Sequence, residues 1–506
     1  MNRIRLYCIA VLMAAAECAT AGGLLTNTNQ NIAFLRNPAR DAAIGIDGVY
    51  SNPAGVIFLG EGFHLSLNIQ NAHQTRTIQT TSPLFVNNAT NPGHQLHVFE
   101  GKADAPIIPS IQAAWNKDKW SFQFGFAITG GGGKCEFDNG LGSFEQEVAG
   151  IPYKPVEQSN AMTLMNLLYD GLAGINPTLA GHKMGDGYAY DSYMRGRQYY
   201  YGFTLGTAYK VSENLSVYGG VRLLYGSANY YGYVKNIQVE HINNSNSEMV
   251  AASQHFSEQA LKFSEYAGML EQMGKTDEAK SIKKGATLST ALSQNTQDIE
   301  LNCDQTGWGI APIIGIDYHT SKLNLAAKYE FKTRMRLKNK SANSLSAENL
   351  SMLDSYADGE KVADDSPALL TVGAQYSILP SVRVMAGWHH FFDVDTKQYT
   401  KDMLGDSNEY LLGAEWDIND IVQVSAGGQR TKYNFNDEGM NDISFNVSSY
   451  SLGFGVGVNV TEKVKINAAY FQTFYDDYNK GVDANGVTNS FTRTNRVIGI
   501  GVDLKL

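Results

Sequence analysis

Trp120-Ser-Phe-Gln-Phe-Gly-Phe-Ala-Ile128 is the stretch on which the fold turns. Successive side chains of a strand point to opposite faces. Trp120, Phe122, Phe124, Phe126 and Ile128 therefore share one face, and Ser121, Gln123, Gly125 and Ala127 the other. The alternation recurs at Tyr450–Val460, where Tyr450, Leu452, Phe454, Val456, Val458 and Val460 oppose Ser451, Gly453, Gly455, Gly457 and Asn459. It recurs again at the C-terminus, with Ile498, Ile500, Val502, Leu504 and Leu506 against Gly499, Gly501, Asp503 and Lys505. A soluble sandwich, with one face on a core and one in water, produces the same pattern. Single strands leave that alternative open.

The connections decide between them. Tight polar turns stand at Asn116–Lys119, Ser212–Asn214, His319–Lys322, Leu379–Ser381, Ile418–Asp420 and Thr461–Lys463. Between them lie long connections near 73–104, 130–196, 230–304, 336–366, 394–408, 432–446 and 476–492. Strict alternation of short and long connections is the mark of an outer-membrane barrel, with short periplasmic turns and long extracellular loops. The ladder predicts an all-β, antiparallel transmembrane β-barrel of about fourteen strands, an even number as single-chain bacterial barrels have. The expected strands are 61–72, 105–116, 119–129, 197–210, 214–228, 305–318, 322–335, 367–378, 382–393, 408–417, 421–431, 447–460, 463–475 and 493–506. Trp115, Trp120, Tyr199, Tyr200, Tyr201, Tyr209, Trp388 and Trp416 sit near strand ends, where a barrel carries its aromatic girdles.

Composition agrees. Across 506 residues there are 50 glycines and 28 tyrosines but only 12 prolines, and 18% of residues are charged. Lys+Arg 40 against Asp+Glu 50 gives a net charge of -10, which disfavours a nucleic-acid partner. Mean hydropathy is -0.26, unlike a helical membrane protein. At the N-terminus, Arg3 and Arg5, the apolar run Leu6–Ala16 and Ala19-Thr20-Ala21 predict a signal peptide over 1–21, cleaved near Ala21; a retained anchor is the alternative. Cys8 and Cys18 would leave with it. Cys135 and Cys303 remain, and the sequence leaves both a disulfide and two free thiols open.

The chain carries no CxxC or HExxH pattern, so neither a metal nor a cofactor is expected. Gly133-Lys134 is no phosphate loop, because Ile128 and Cys135 stand where that motif needs Gly and Ser or Thr. Gly453, Gly455 and Gly457 follow strand period rather than preceding a helix. His389 and His390 alternate faces and do not converge on one site. With no GxSxG elbow either, an enzyme is not expected.

Two regions fall outside the strands. Residues 22–60 are rich in Gly, Asn and Ala and contain Arg36-Asn-Pro-Ala39 and Ser51-Asn-Pro-Ala-Gly55. They read as a plug folded into the barrel or as a disordered periplasmic tail; the two Asn-Pro turns argue for defined structure. In the long connections, 158–173 places Met162, Met165, Leu168, Tyr169 and Leu172 at helical spacing, and 247–294 reads as a helical hairpin about Gly274-Lys-Thr276. Their apolar faces either bury against each other and the rim or offer a greasy groove to an apolar ligand, a role that methionine suits.

A signal peptide, a Gly-rich plug ending in Ser51-Asn52-Pro53-Ala54-Gly55, about fourteen strands, and the run Phe126-Ala-Ile-Thr-Gly-Gly-Gly-Gly-Lys134 together resemble the FadL/TodX family of outer-membrane hydrophobe transporters. The resemblance spans the mature chain. The large insertion at 247–294 and the non-aromatic terminal Leu506 depart from it. It implies passive uptake of long-chain fatty acids or similar hydrophobic small molecules, by capture on extracellular loops, lumenal binding, and lateral release through a kinked third strand into the membrane. On this sequence the implied hatch turn is Asn52, Pro53, Ala54 and Gly55. The outer groove is Met162, Met165, Leu168 and Leu172. The lateral-opening candidates are Gly130, Gly131, Gly132 and Gly133, which read equally well as a flexible loop ending the third strand.

A carboxylate head would want a lumenal cation. Strand parity turns Arg222 and Lys328 inward, where basic residues are ordinary in any barrel. The expected partners are a fatty-acid-like ligand and the lipid and lipopolysaccharide of a Gram-negative outer membrane, with the protein a monomer. A general porin or a loop-based adhesin is the alternative.

Overall fold

The computed structural model describes residues 26–156, 159–174, 176–342, 356–397, 403–443 and 445–506. The expected signal peptide, the first residues of the plug and Gln158 lie outside the described residues. Fourteen long antiparallel strands form one closed barrel. They are β1 Gly62–Thr81, β2 Leu96–Lys117, β3 Trp120–Phe137, β4 His182–Lys210, β5 Leu215–Asn243, β6 Ile299–His319, β7 Leu323–Glu330, β8 Ala368–Leu379, β9 Val382–Phe392, β10 Leu404–Asp417, β11 Val422–Phe435, β12 Ser449–Thr461, β13 Val464–Tyr475 and β14 Thr488–Lys505. β14 pairs with β1 from His64↔Lys505 to Thr81↔Thr488, which closes the sheet on itself.

The period-two pattern is satisfied by two unlike surroundings. Outward positions are exposed and apolar: Phe122 and Phe124 on β3, Leu205 on β4, Ile310, Ile314 and Ile316 on β6, Leu452 and Phe454 on β12. Aromatic side chains brace one another across neighbouring strands, with Trp120 and Tyr209 centroids 4.6 Å apart and Tyr225 and Trp308 4.5 Å apart. Inward positions are polar yet buried, including Ser66, Asn68, Gln112, Ser121, Ser216, Asp317 and Asn324. Apolar outside and polar inside inverts a soluble protein and defines a barrel standing in lipid.

The short-turn ends of the strands lie close to their sequence positions, as do the long-loop ends of β8, β9, β12 and β13, but the long-loop ends of β1 to β6 lie well beyond theirs. β4 and β5 each run 29 residues, where about 9–11 cross a membrane. Much of the connections expected at 73–104, 130–196 and 230–304 is therefore strand rather than loop. Above the apolar belt the outward residues turn polar, as with Asn71, His73 and Thr75 on β1, so the belt marked the lipid span and not the full strand. β7 is the opposite case: regular pairing stops at Glu330 and resumes as a short strand at Arg336–Ser341.

Four helices cap the long-loop end: α2 Gly142–Ala149, α3 Ala161–Ala173, α4 Ala252–Gln272 and α5 Thr276–Asn295; α1, Ile32–Arg36, lies in the N-terminal segment. The turn between α4 and α5 falls at Gly274, whose φ of 74° suits glycine. Helices and strand ends share a dry core that includes Ile78, Phe144, Met165, Tyr188, Phe256, Phe263 and Phe491. Cys135 and Cys303 are unpaired thiols within this core.

Candidate functional site

Residues 26–60 fold into the lumen as a hatch, and the polar inner wall explains why they stay there. A buried polar side chain needs a hydrogen-bond partner, and the hatch supplies one to strand after strand. Asn31 caps α1 by accepting from the Ala33 amide at 2.8 Å, while its own amide donates to Ser66 Oγ (3.1 Å) and Gln112 Oε1 (2.9 Å). Arg36 at the end of α1 donates through Nε to Ser425 (2.9 Å) and through Nη1 to Asn467 (2.6 Å). Arg40 grips Asp47 in a two-pronged pair at 2.8 and 3.0 Å and reaches Glu415 on β10. His389 bridges hatch and wall, with Nε2 2.8 Å from Asp41 Oδ1 and Nδ1 2.7 Å from Glu409 Oε2. His390 points to the other face, towards Asn408, as its parity required.

The hatch turn is pinned on three strands. Asn52 donates to Asp317 on β6 at 2.7 Å and accepts from the Gly55 amide, closing the turn on itself. The Pro53 carbonyl accepts from Gln123 on β3 at 2.7 Å, and the Ala54 carbonyl accepts from Ser216 on β5 at 2.6 Å. Arg222 and Lys328 are indeed inward and buried, but both are engaged by the hatch. Lys328 donates to the Tyr50 carbonyl at 2.7 Å and lies 4.5 Å from its ring; Arg222 lies 4.8 Å from the same ring and pairs with Glu330. In this arrangement they anchor Tyr50 rather than face open lumen.

Above the hatch is a cavity of about 190 Å³. Its floor is the hatch, including Thr28 and Phe34; Phe471, Tyr433 and Val497 line its walls. On one side it reaches β2 and β3, where the wall itself is interrupted. β2 and β3 pair from Lys117↔Trp120 up to Ser110↔Ala127, and again at Lys102↔Glu136 and Gly101↔Phe137; between these blocks their pairing breaks. Ala103, Ala105 and Ile108 on one lip, and Ile128, Gly131 and Gly133 on the other, line the cavity.

The sequence explains both lips. Pro106 and Pro109 on β2 have no amide hydrogen to give a neighbouring strand. On β3, Gly131 and Gly133 adopt φ of 95° and 72°, and a side chain at 131 would strike the Gln198 carbonyl. The glycines do not end the third strand: β3 stays paired to β4 beyond them, to Phe137↔Met194, with shifts of register between Ile128 and Gly133. They form a bulge that draws β3 away from β2. The hatch reaches this unpaired edge from inside, with the Asn27 amide donating to the Thr129 carbonyl at 2.8 Å and the Asn27 side chain to the Ile128 carbonyl at 3.0 Å. The prolines were the missed signal, since their place inside an otherwise periodic strand marks a break in pairing.

The outer-groove residues are placed differently from one another. Met165, Leu168 and Leu172 are buried, and Met162 is half-buried. The hairpin covers this face: Ser289 Oγ lies 3.5 Å from Met165 Sδ, and Gly285 leaves room for Leu168. Tyr169 of α3 meets Phe263 of α4 edge-on at 5.9 Å. Here the helices bury against each other, and no open groove runs along these side chains. On α4, burial first and His241 next hold the imidazole of His255 down to about 4.

A closed barrel whose lumen is filled by its own N-terminal segment, with a cavity above it and a break in the wall, is a hatched β-barrel by architecture. Among solved structures the chain is similar to a Pseudomonas aeruginosa FadL homologue, with TM-score 0.58, 11% identity and coverage of 96% of this chain and 99% of that one. It is also similar to the Pseudomonas putida toluene transporter TodX, with TM-score 0.50, 14% identity and coverage of 91% and 94%. These likenesses establish a shared fold over nearly the whole chain. No family model matches the sequence, and no curated protein does.

Proposed function

We propose that this protein is an outer-membrane channel for passive uptake of long-chain fatty acids or similar hydrophobic small molecules, releasing them sideways through the gap between β2 and β3. The observation that carries the reading is the cavity bounded by the hatch below and reaching both lips of that gap. A water-filled pore would do nothing for an apolar molecule, whose favourable path ends in hydrocarbon. The gap is flanked by Ile107, an exposed apolar residue of β2, which suits a route that ends in lipid. The helical crown supports capture at the outer face, with Met162 and the exposed Leu167 as first contacts and Met165, Leu168 and Leu172 reached when the hairpin moves aside. Likeness in fold to a toluene transporter fits the same class of cargo. A general porin is disfavoured by the hatch, which is built into the wall from β1 to β13.

The test is uptake of labelled long-chain fatty acid by cells lacking their own transporter, with influx of a small sugar measured on the same cells. The chain should bring in fatty acid without sugar. A disulfide between cysteines placed at Ala105 and Gly130 should stop fatty-acid uptake until it is reduced. Uptake unchanged by that bond would remove the lateral route, and sugar influx alone would make the protein a porin.

A further inference from the structure

Residues 332–340, Lys-Thr-Arg-Met-Arg-Leu-Lys-Asn-Lys, alternate as regularly as the strands of the barrel, but their outward face is basic. On β7 the outward positions are apolar. Leu325 and Phe331 are exposed, and Tyr329 between them meets Phe331 edge-on at 4.8 Å and Phe392 at 5.9 Å. After Glu330 regular pairing lapses and the phase slips by one residue. Thr333, Met335, Leu337 and Asn339 are then buried, while Arg334, Arg336, Lys338 and Lys340 are exposed. The short strand Lys361–Ala363 adds Lys361, exposed and directly opposite Lys338.

This is not an ordinary solvated face, on which both signs of charge alternate. The chain as a whole is acidic, with a net charge of -10, yet every outward side chain from Arg334 to Lys340 is a cation. Like charges directly opposite across a strand pair oppose folding. Arg336 pairs with Asp365 at 3.3 Å, and Lys340 stands opposite Asp304 in the register. Among the described residues Arg334, Lys338 and Lys361 form no ion pair.

Their height says what they meet. β7 rises from the short-turn end, so the cations begin where Tyr329 and Phe331 stop, at the outer edge of the apolar belt. From Arg334 to Lys340 they climb about 20 Å of strand. On β1 the outward residues above the belt are Asn71, His73 and Thr75, with no such row. In a Gram-negative outer membrane the lipid at this height is lipopolysaccharide, with phosphates at the hydrocarbon edge and acidic sugars above them. Cations near an anionic lipid surface raise affinity by about fivefold each.

We propose that the outward face of residues 334–340, with Lys361, is a docking site for lipopolysaccharide. Its phosphates are held by Arg334, Lys338 and Lys361, and its acyl chains lie on the belt at Tyr329 and Phe331. The glycolipid then covers the stretch after Glu330 where strand pairing lapses. This site goes beyond the uptake reading: it rests on placement in the outer membrane and is independent of the cargo.

The test is binding of rough-form lipopolysaccharide, intact or stripped of its phosphates with hydrofluoric acid, to the purified full chain. It is run in neutral-detergent micelles at about 0.15 M salt. Intact lipopolysaccharide should bind at least about tenfold more tightly than the stripped form, and added salt should weaken it. Arg334→Gln with Lys338→Gln and Lys361→Gln should lower that affinity at least about tenfold and leave the barrel heat-modifiable. Lys119→Gln with Lys322→Gln and Lys463→Gln removes as much charge from exposed positions at the short-turn end and should change nothing. Equal binding of the stripped form, affinity that survives in the first variant, or an equal loss in the second overturns the site. Phosphatidylglycerol held as tightly through the same three residues overturns the glycolipid as its occupant. Each of these failures leaves hydrophobe uptake standing, because no substituted residue lies in the hatch, the cavity or the β2–β3 gap.

Discussion

At the short-turn end the lumen is closed by the hatch through Arg36, Arg40, Asp41 and Asn52, each bonded to a polar or charged group on the wall. At the long-loop end most of the closing side chains are apolar, Phe144, Met165, Leu172, Phe256 and Phe263 in one core, around a polar knot in which Glu145 meets Asn88, His97 and Tyr188. The first closure is directional. It holds one arrangement, and a group that competes for the same partners can loosen it one bond at a time. The second is non-directional and reforms around whatever apolar shape is present. A channel for greasy cargo would use both: a crown that tolerates an apolar intruder, and a floor that does not leak.

The sharpest way to break this contrast is to remove the charge on which the floor converges. Glu415→Ala leaves Arg36, Arg40 and Arg383 facing one another without their shared carboxylate. Breaking such a buried network should cost about 3–5 kcal/mol and undock the hatch, seen as sugar influx through a barrel that still shifts mobility on heating. In the crown, Leu172→Ala should cost about 3 kcal/mol through the cavity it leaves. It should speed proteolysis of the α4–α5 hairpin without letting sugar through, which a shared floor-and-crown unit would not allow. Asn52→Ala with Pro53→Ala leaves Asp317 with Asn324 as its remaining donor and should cost about 1–3 kcal/mol; fatty-acid uptake should fall while the barrel stays folded. Uptake at the original level would take the hatch turn out of the mechanism.

The smallest effect is one of pH. His255 is held near 4 in the docked hairpin against an ordinary value near 6.5, so the undocked form binds more protons between those values. Docking should therefore weaken as pH falls from about 6.5 towards 4. Hydrogen exchange of the α4 amides, corrected for intrinsic rate, should rise across that window, and His255→Phe should flatten the rise.

Much of the barrel was legible because its signal is local. Alternation at Trp120–Ile128 and the turn at Thr461–Lys463 need no distant partner to be read, and the short-turn ends came out within a few residues of their places. The upper strands were less legible because the apolar belt reports contact with lipid, and β4 and β5 continue far above it. Arg222 and Lys328 were rightly turned inward by parity, yet parity says nothing of Tyr50 meeting them there. Likewise Asn27 and Thr129 lie far apart in the chain, and only the return of the hatch to the bulged strand joins them.

By itself, then, the sequence determined the class of fold, the two faces of strands such as Trp120–Ile128 and Tyr450–Val460, and the helical hairpin, because each is a matter of neighbours within a few residues. The tertiary structure alone decided which buried cations are spoken for. Arg222 and Arg493 look alike in their strands, and the difference is that Glu330 and Tyr50 fold back onto one while the other meets Asn446, Gln74 and the Tyr475 ring and, among the described residues, pairs with no carboxylate. Burial makes that difference matter, since a guanidinium withdrawn from water must find its partners within the protein.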